Sequence, residues 1–135
     1  MERDTVLLSE YSEAGQTCRA HEGYVRTTLN MHLTLSAAVT AFLVSSHLSA
    51  FAQTYICFGM AAVSLCMVFL VLRHRKIYSA FVQRAREIEA ELGMTLYTKA
   101  STSSSGPTAK TLSAFIIGLI GVAYFIVAFI IACKS

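Results

Sequence analysis

The chain has no tryptophan, a single proline at 107, and only 14% charged residues in a length of 135. An ordinary soluble domain carries roughly 25% charged residues. Apolar residues reach 55%, more than so short a chain can hide from water in one core. The excess must therefore meet lipid or a partner. The opening stretch MERDTVLLSE mixes acid with base and leads into no short apolar core, so it does not read as a secretory signal. Glu2 follows the initiator Met, where myristoylation requires glycine.

The four cysteines are Cys18, Cys57, Cys66 and Cys133. Two lie deep in one apolar run, and the others are expected on opposite sides of the membrane. That spacing is not a disulfide framework, and each cysteine reads as a small apolar residue.

What is present is two long uncharged runs. No Asp, Glu, Lys or Arg occurs between Arg26 and Arg73, a stretch of 46 residues. A helix crosses the hydrocarbon in about 20 residues, so this run fits two spans. Its weakest point is the polar cluster His47 to Thr54, where a tight turn is expected. The spans are then Leu29–Leu48 and Tyr55–Leu72. A third run, Leu112–Cys133, has 22 residues bounded by Lys110 and Lys134. Backbone groups find no water in lipid, so such runs must be helices or strands of a closed barrel. Continuous apolar sequence, without alternation, selects helices.

The expected fold is an all-α integral membrane protein with three transmembrane helices, the first two forming a tight hairpin with cytoplasmic helical extensions. Ten of the eleven Lys and Arg residues flank that hairpin on one side or follow it before the third span, and only Lys134 lies beyond. The positive-inside rule then places the amino terminus in the cytoplasm and the carboxyl terminus outside a cell membrane. Five segments follow: a cytoplasmic amphipathic arm over 1–28, the two-span hairpin over 29–72, a cytoplasmic helix over 73–100, a Ser-rich linker over 101–111, and the third span over 112–133.

The arms have complementary patterns. Leu7, Tyr11, Ala14, Cys18, His21 and Val25 repeat at helical spacing, although Gly15 and Gly23 each weaken the helix by about 1 kcal/mol relative to alanine. Between Arg73 and Leu92 the residues Ile77, Phe81, Ala85, Ile88 and Leu92 share one face, Gly93 signals a stop, and Arg84–Glu87 and Arg86–Glu89 are spaced to pair. Residues 1–26 carry three bases against five acids, and 73–92 five bases against three. Opposite charge and matching apolar stripes favour an antiparallel helical pair.

Several features could carry function. Ala114, Gly118, Gly121, Ala128 and Ala132 form a small-residue stripe on the third span, suited either to packing inside the chain or to an oligomer face. The first span holds the hydroxyls of Thr34, Ser36, Thr40, Ser45, Ser46 and Ser49, suited to helix packing or to a pore lining. His32 and His47 lie near its two ends, where a neutral imidazole can reach headgroups or water. Arg73, Arg75 and Lys76 read as a membrane-interface anchor on anionic headgroups; they are too few for a nucleic-acid surface.

Cys18-x2-His21 offers two metal ligands without a matching second pair. Arg26-x5-His32 has the Arg…His form of HEPN-type ribonucleases, but the His falls at the membrane edge. No nucleophile–base set, phosphate loop or paired catalytic carboxylates is visible. The chain is therefore expected to have no catalytic activity, metal or cofactor.

Tyr11 to Arg26 (YSEAGQTCRAHEGYVR), running into the first span, and Arg84 to Gly93 (RAREIEAELG), after the second, resemble the SLATT type of two-span effectors in nucleotide-signalled phage defence. The resemblance covers about two-thirds of the chain. It implies oligomerisation into a membrane-perturbing assembly on receipt of a signal, and it transfers no catalytic or binding residue. The expected function is a small oligomerising membrane protein of the pore-forming or membrane-perturbing kind. The alternative is a membrane anchor or accessory subunit that binds a cytoplasmic protein through its arms. The expected partners are the lipid bilayer, further copies of the chain, or that cytoplasmic protein, and no nucleic acid.

Overall fold

The computed structural model describes residues 2–96, 98–99 and 109–134. Helix α1 spans Glu2–Ser45, α2 Ala50–Leu92 and α3 Ala109–Lys134. Each of the three is long and apolar enough to cross a membrane. Gly15 and Gly23 do not interrupt α1, because the helix on either side of them is held by the packed face that includes Leu7, Ala14, Cys18 and Val25.

The break between α1 and α2 is shorter than the cluster 47–54 suggests, and α2 begins at Ala50. Local hydrogen bonds explain the difference. The Ser49 side chain caps α2 by accepting from the Ala52 N–H at 3.3 Å, and Thr54 donates back to the Ala50 carbonyl at 2.9 Å. Polar residues that bond to their own helix start it instead of ending it.

At the far end of α2, Gly93 adopts φ 70°, the left-handed conformation of a C-cap, and its N–H reaches the Glu89 carbonyl. The linker expected over 101–111 lies outside the described residues as far as 108. Its last residues belong to α3, which already begins at Ala109.

The cross-helix contacts of α1 and α2 define an antiparallel pair. Arg3 meets Glu91, Glu10 meets Arg84, Tyr11 meets Glu89, Glu22 meets Tyr78, and His32 meets Ser64. Residues early in α1 meet residues late in α2, and residues late in α1 meet earlier ones, so the two helices run antiparallel along their length. Helix α3 packs on this pair, more extensively on α2 than on α1. One cluster joins Val25, Val71, Ala114 and Ile117; a second joins Cys57, Met60, Tyr124 and Ala128, with Val39 and Leu43 against it. Helix α3 therefore runs parallel to α1. From Val25 to Leu43 the helix rises about 27 Å at 1.5 Å per residue, close to the thickness of the hydrocarbon. Beyond this three-helix unit, α1 and α2 continue as a two-helix arm.

A polar seam as the candidate functional site

His32, Ser36 and Thr40 follow one another at intervals of four residues, so they share a face of α1. His32 and Ser36 are buried in the three-helix unit, and Thr40 is exposed at its edge. His32 is wholly buried, not at an edge as its position in the run suggests, because α2 covers it. Its Nε2 lies 3.2 Å from the Ser64 hydroxyl of α2, which itself donates to the Met60 carbonyl at 2.8 Å. Serine has a single O–H proton. With that proton directed to Met60, the imidazole must donate from Nε2, and its Nδ1 is left as a bare acceptor. No hydrogen-bond partner reaches that Nδ1 or the Ser36 hydroxyl, both buried.

One turn further on, the Tyr124 hydroxyl of α3 donates to the Ser36 carbonyl at 2.8 Å and lies 2.8 Å from the Thr40 hydroxyl. Thr40 also reaches the Ser36 carbonyl at 2.8 Å. All three helices thus contribute to one polar seam inside an otherwise apolar unit. It offers both donors and acceptors, in two groups not bonded to each other, and it contains no carboxylate.

Gly121 is what lets α3 close over the seam. A Cβ at this position would stand 2.7 Å from the Ser64 Cβ and 3.3 Å from its hydroxyl. Gly118 is roomier, with the nearest atom, Val68 Cγ2, at 3.9 Å. Ala114 and Ala128 are buried in the two clusters. The small-residue stripe therefore meets the chain's own α2 and α1 along most of its length, and only Ala132 is exposed. Phe125, in the gap of the stripe, is exposed and packs edge-on against Phe58 at 5.6 Å.

The other hydroxyls of α1 do not join the seam. Thr34 is exposed, Ser45 bonds back to the Phe42 carbonyl, and Ser49 is the cap of α2. His47 is exposed in the turn, and Arg26 is exposed while His32 is buried, so the Arg26-x5-His32 pair forms no shared site. Arg73, Arg75 and Lys76 are exposed and line a shallow groove with Phe69, Leu72 and Ser79, a cationic rim beside an apolar wall.

The sequence pattern alone does not mark Ser64 and Tyr124 as partners of the α1 face. The signal that each needs a partner is available: Ser64 is the only hydroxyl between Tyr55 and Tyr78, and Tyr124 the only one between Ser113 and Ser135. A lone polar side chain in such a run must find a partner.

At the base of the arm lies a second polar cluster. His21 Nδ1 is 2.9 Å from His74 Nδ1. The Lys110 ammonium of α3 lies over the Tyr78 ring, and the Tyr78 hydroxyl donates to Glu22 at 3.1 Å. All four cysteines are free, with Cys18 and Cys57 buried and Cys66 and Cys133 exposed. Among the described residues, no three His, Cys, Asp or Glu side chains converge as a metal site. The chain matches no protein-family model, no curated protein and no solved structure.

Proposed function

We propose that this chain is a non-catalytic, multi-pass membrane protein that assembles with copies of itself and alters the permeability of the bilayer. The carrying observation is the polar seam. Buried polar groups in lipid are expensive, and a bundle serving only as an anchor has no need of the buried His32, Ser36, Ser64 and Tyr124 inside it. The unpartnered His32 Nδ1 and Ser36 hydroxyl supply further hydrogen-bonding capacity.

Assembly would use surfaces other than the small-residue stripe, which is engaged within the chain. The outward side chains Phe115, Leu119, Val122, Ile126 and Phe129 of α3 are exposed and available to lipid or to further copies. Induced expression, with the membrane potential followed by dye, tests the reading. The wild-type chain should depolarise cells, and the pair His32→Leu with Ser64→Ala should abolish the effect at equal membrane abundance. Undisturbed potential and growth at high wild-type expression would refute it.

A second reading, as an anchor or accessory subunit, is favoured by the arm pair. The arm's apolar seam is internal, and its outer face carries exposed charge such as Asp4, Glu13, Arg19 and Arg86. Pull-down in mild detergent separates the two. A homo-oligomer alone favours assembly, and a stoichiometric foreign partner favours the anchor.

The orientation proposed from the Lys and Arg distribution places the arm in the cytoplasm. Cys133 is exposed, so in intact cells an impermeant thiol reagent should reach it only from outside. Cys18 is buried and should resist labelling from either side while the arm is closed.

A further inference from the structure

We propose that His21 and His74 form a proton-binding clasp that holds the base of the arm closed near neutral pH and releases it on acidification. The geometry sets the proton count. The two Nδ1 atoms are 2.9 Å apart, a distance that requires one ring to donate and the other to offer a lone pair. The neutral pair satisfies this. A first added proton goes to the free Nε2 of the donor ring and leaves the bond intact. A second must occupy the accepting Nδ1, and two N–H groups then face each other with no acceptor between them.

The surroundings oppose that second proton. Lys110 from α3 acts on His21 and Tyr24 packs against both rings; Cys18 and Glu22 from α1 and Tyr78 from α2 surround Lys110, and Arg73 and Arg75 flank His74 in the chain. Burial holds Lys110 below its ordinary value, and the carboxylate that favours its charge, Glu22, already accepts from Tyr78. The rings are also held in place: Tyr24 stacks on His74 at 5.6 Å, and Phe81 lies 6.5 Å from His21.

Burial, the neighbouring His74 and Lys110 together hold His21 below its ordinary value. Because the closed form has the lower affinity for protons, the open form binds more of them as pH falls. The clasp therefore contributes its full stability above the ordinary imidazole range and loses it progressively below.

Cys18 lies one helical turn from His21 and is buried, while Cys133 is exposed in the same molecule. The test uses the full chain in detergent or vesicles. 4,4′-Dithiodipyridine stays reactive toward thiols in acid, and mass spectrometry locates the label. The ratio of Cys18 to Cys133 modification rates should rise about tenfold or more between about pH 7.5 and about pH 5. In the His21→Gln, His74→Gln variant the ratio should be flat. A ratio that stays flat in the wild type, or rises equally in the variant, overturns the proposal. Phe81→Trp provides an independent check that leaves both histidines in place. The chain has no other tryptophan, and the indole emission should shift to the red over the same pH interval as the arm base admits water. A constant emission maximum likewise overturns the proposal.

Discussion

Replacing Gly121 with alanine should loosen α3 from the other two helices by about 1–3 kcal/mol, the usual range for an overpacked core. The added methyl would meet Ser64 Cβ at 2.7 Å, well inside van der Waals contact. Ser64 cannot easily withdraw, because its hydroxyl is held by the Met60 carbonyl and by His32. Relief must come from the helix axes moving apart, which strips contacts from Tyr124 and Ala128 as well. Gly118→Ala is the control. Its Cβ would find Val68 Cγ2 at 3.9 Å, an ordinary contact, and alanine is the better helix former. In detergent, the midpoint of thermal unfolding followed by circular dichroism should fall clearly for Gly121→Ala and hold or rise for Gly118→Ala. Equal effects at the two glycines would show that α3 is not docked in this register.

Glu89→Ala should be the most damaging single change in the arm, at about 2–4 kcal/mol, since each hydrogen bond to a charged group is worth about 1.5–3 kcal/mol and such terms do not add fully. The residue is only 1% exposed. Its carboxylate accepts from the Tyr11 hydroxyl at 2.9 Å, the Thr98 N–H at 3.0 Å and the Thr98 hydroxyl at 2.8 Å. Its carbonyl accepts from Met94 at 2.9 Å and from the C-cap. One residue thus ties α1 to α2 and turns the chain back after α2. Glu89→Gln should cost under about 1 kcal/mol, because the amide oxygen can serve Thr98 while its N–H donates to the Tyr11 hydroxyl. Thermal unfolding, with limited proteolysis across 93–99, distinguishes the two variants. If Gln is as damaging as Ala, the role of Glu89 rests on its charge and not on the hydrogen bonds.

Glu89 also marks a limit of pattern reading. Its spacing from Arg86 suggests a solvent-facing ion pair, and the sister pair Arg84–Glu87 does form, at 3.4 Å. Arg86 and Glu89 do not pair, because Glu89 lies on the buried face beside Ala85 and Ile88, and Tyr11 comes across from α1 to meet it. The buried charge is stabilised by Thr98, nine residues on, and by Tyr11 of the opposite helix, 78 residues away in the chain.

The existence, number and approximate ends of the helices follow from local sequence. Uncharged runs of spanning length must be helical in lipid, Gly93 can adopt the left-handed cap, and the repeat from Leu7 to Val25 defines one apolar face. Each depends on residues within a few turns of one another. Local pattern identified the hydroxyls of α1 but not which of them turn inward. It also left the small residues of α3 open between packing and assembly. The tertiary structure shows which hydroxyls turn inward, through the register of α1 on α2, and sets Gly121 of the stripe against Ser64. Periodicity tells which side chains share a face. Which faces meet, and at what height, depends on side-chain volume and hydrogen-bond matching between distant segments, and so His32 finds Ser64, His21 finds His74 and Glu89 finds Tyr11 only in the folded chain.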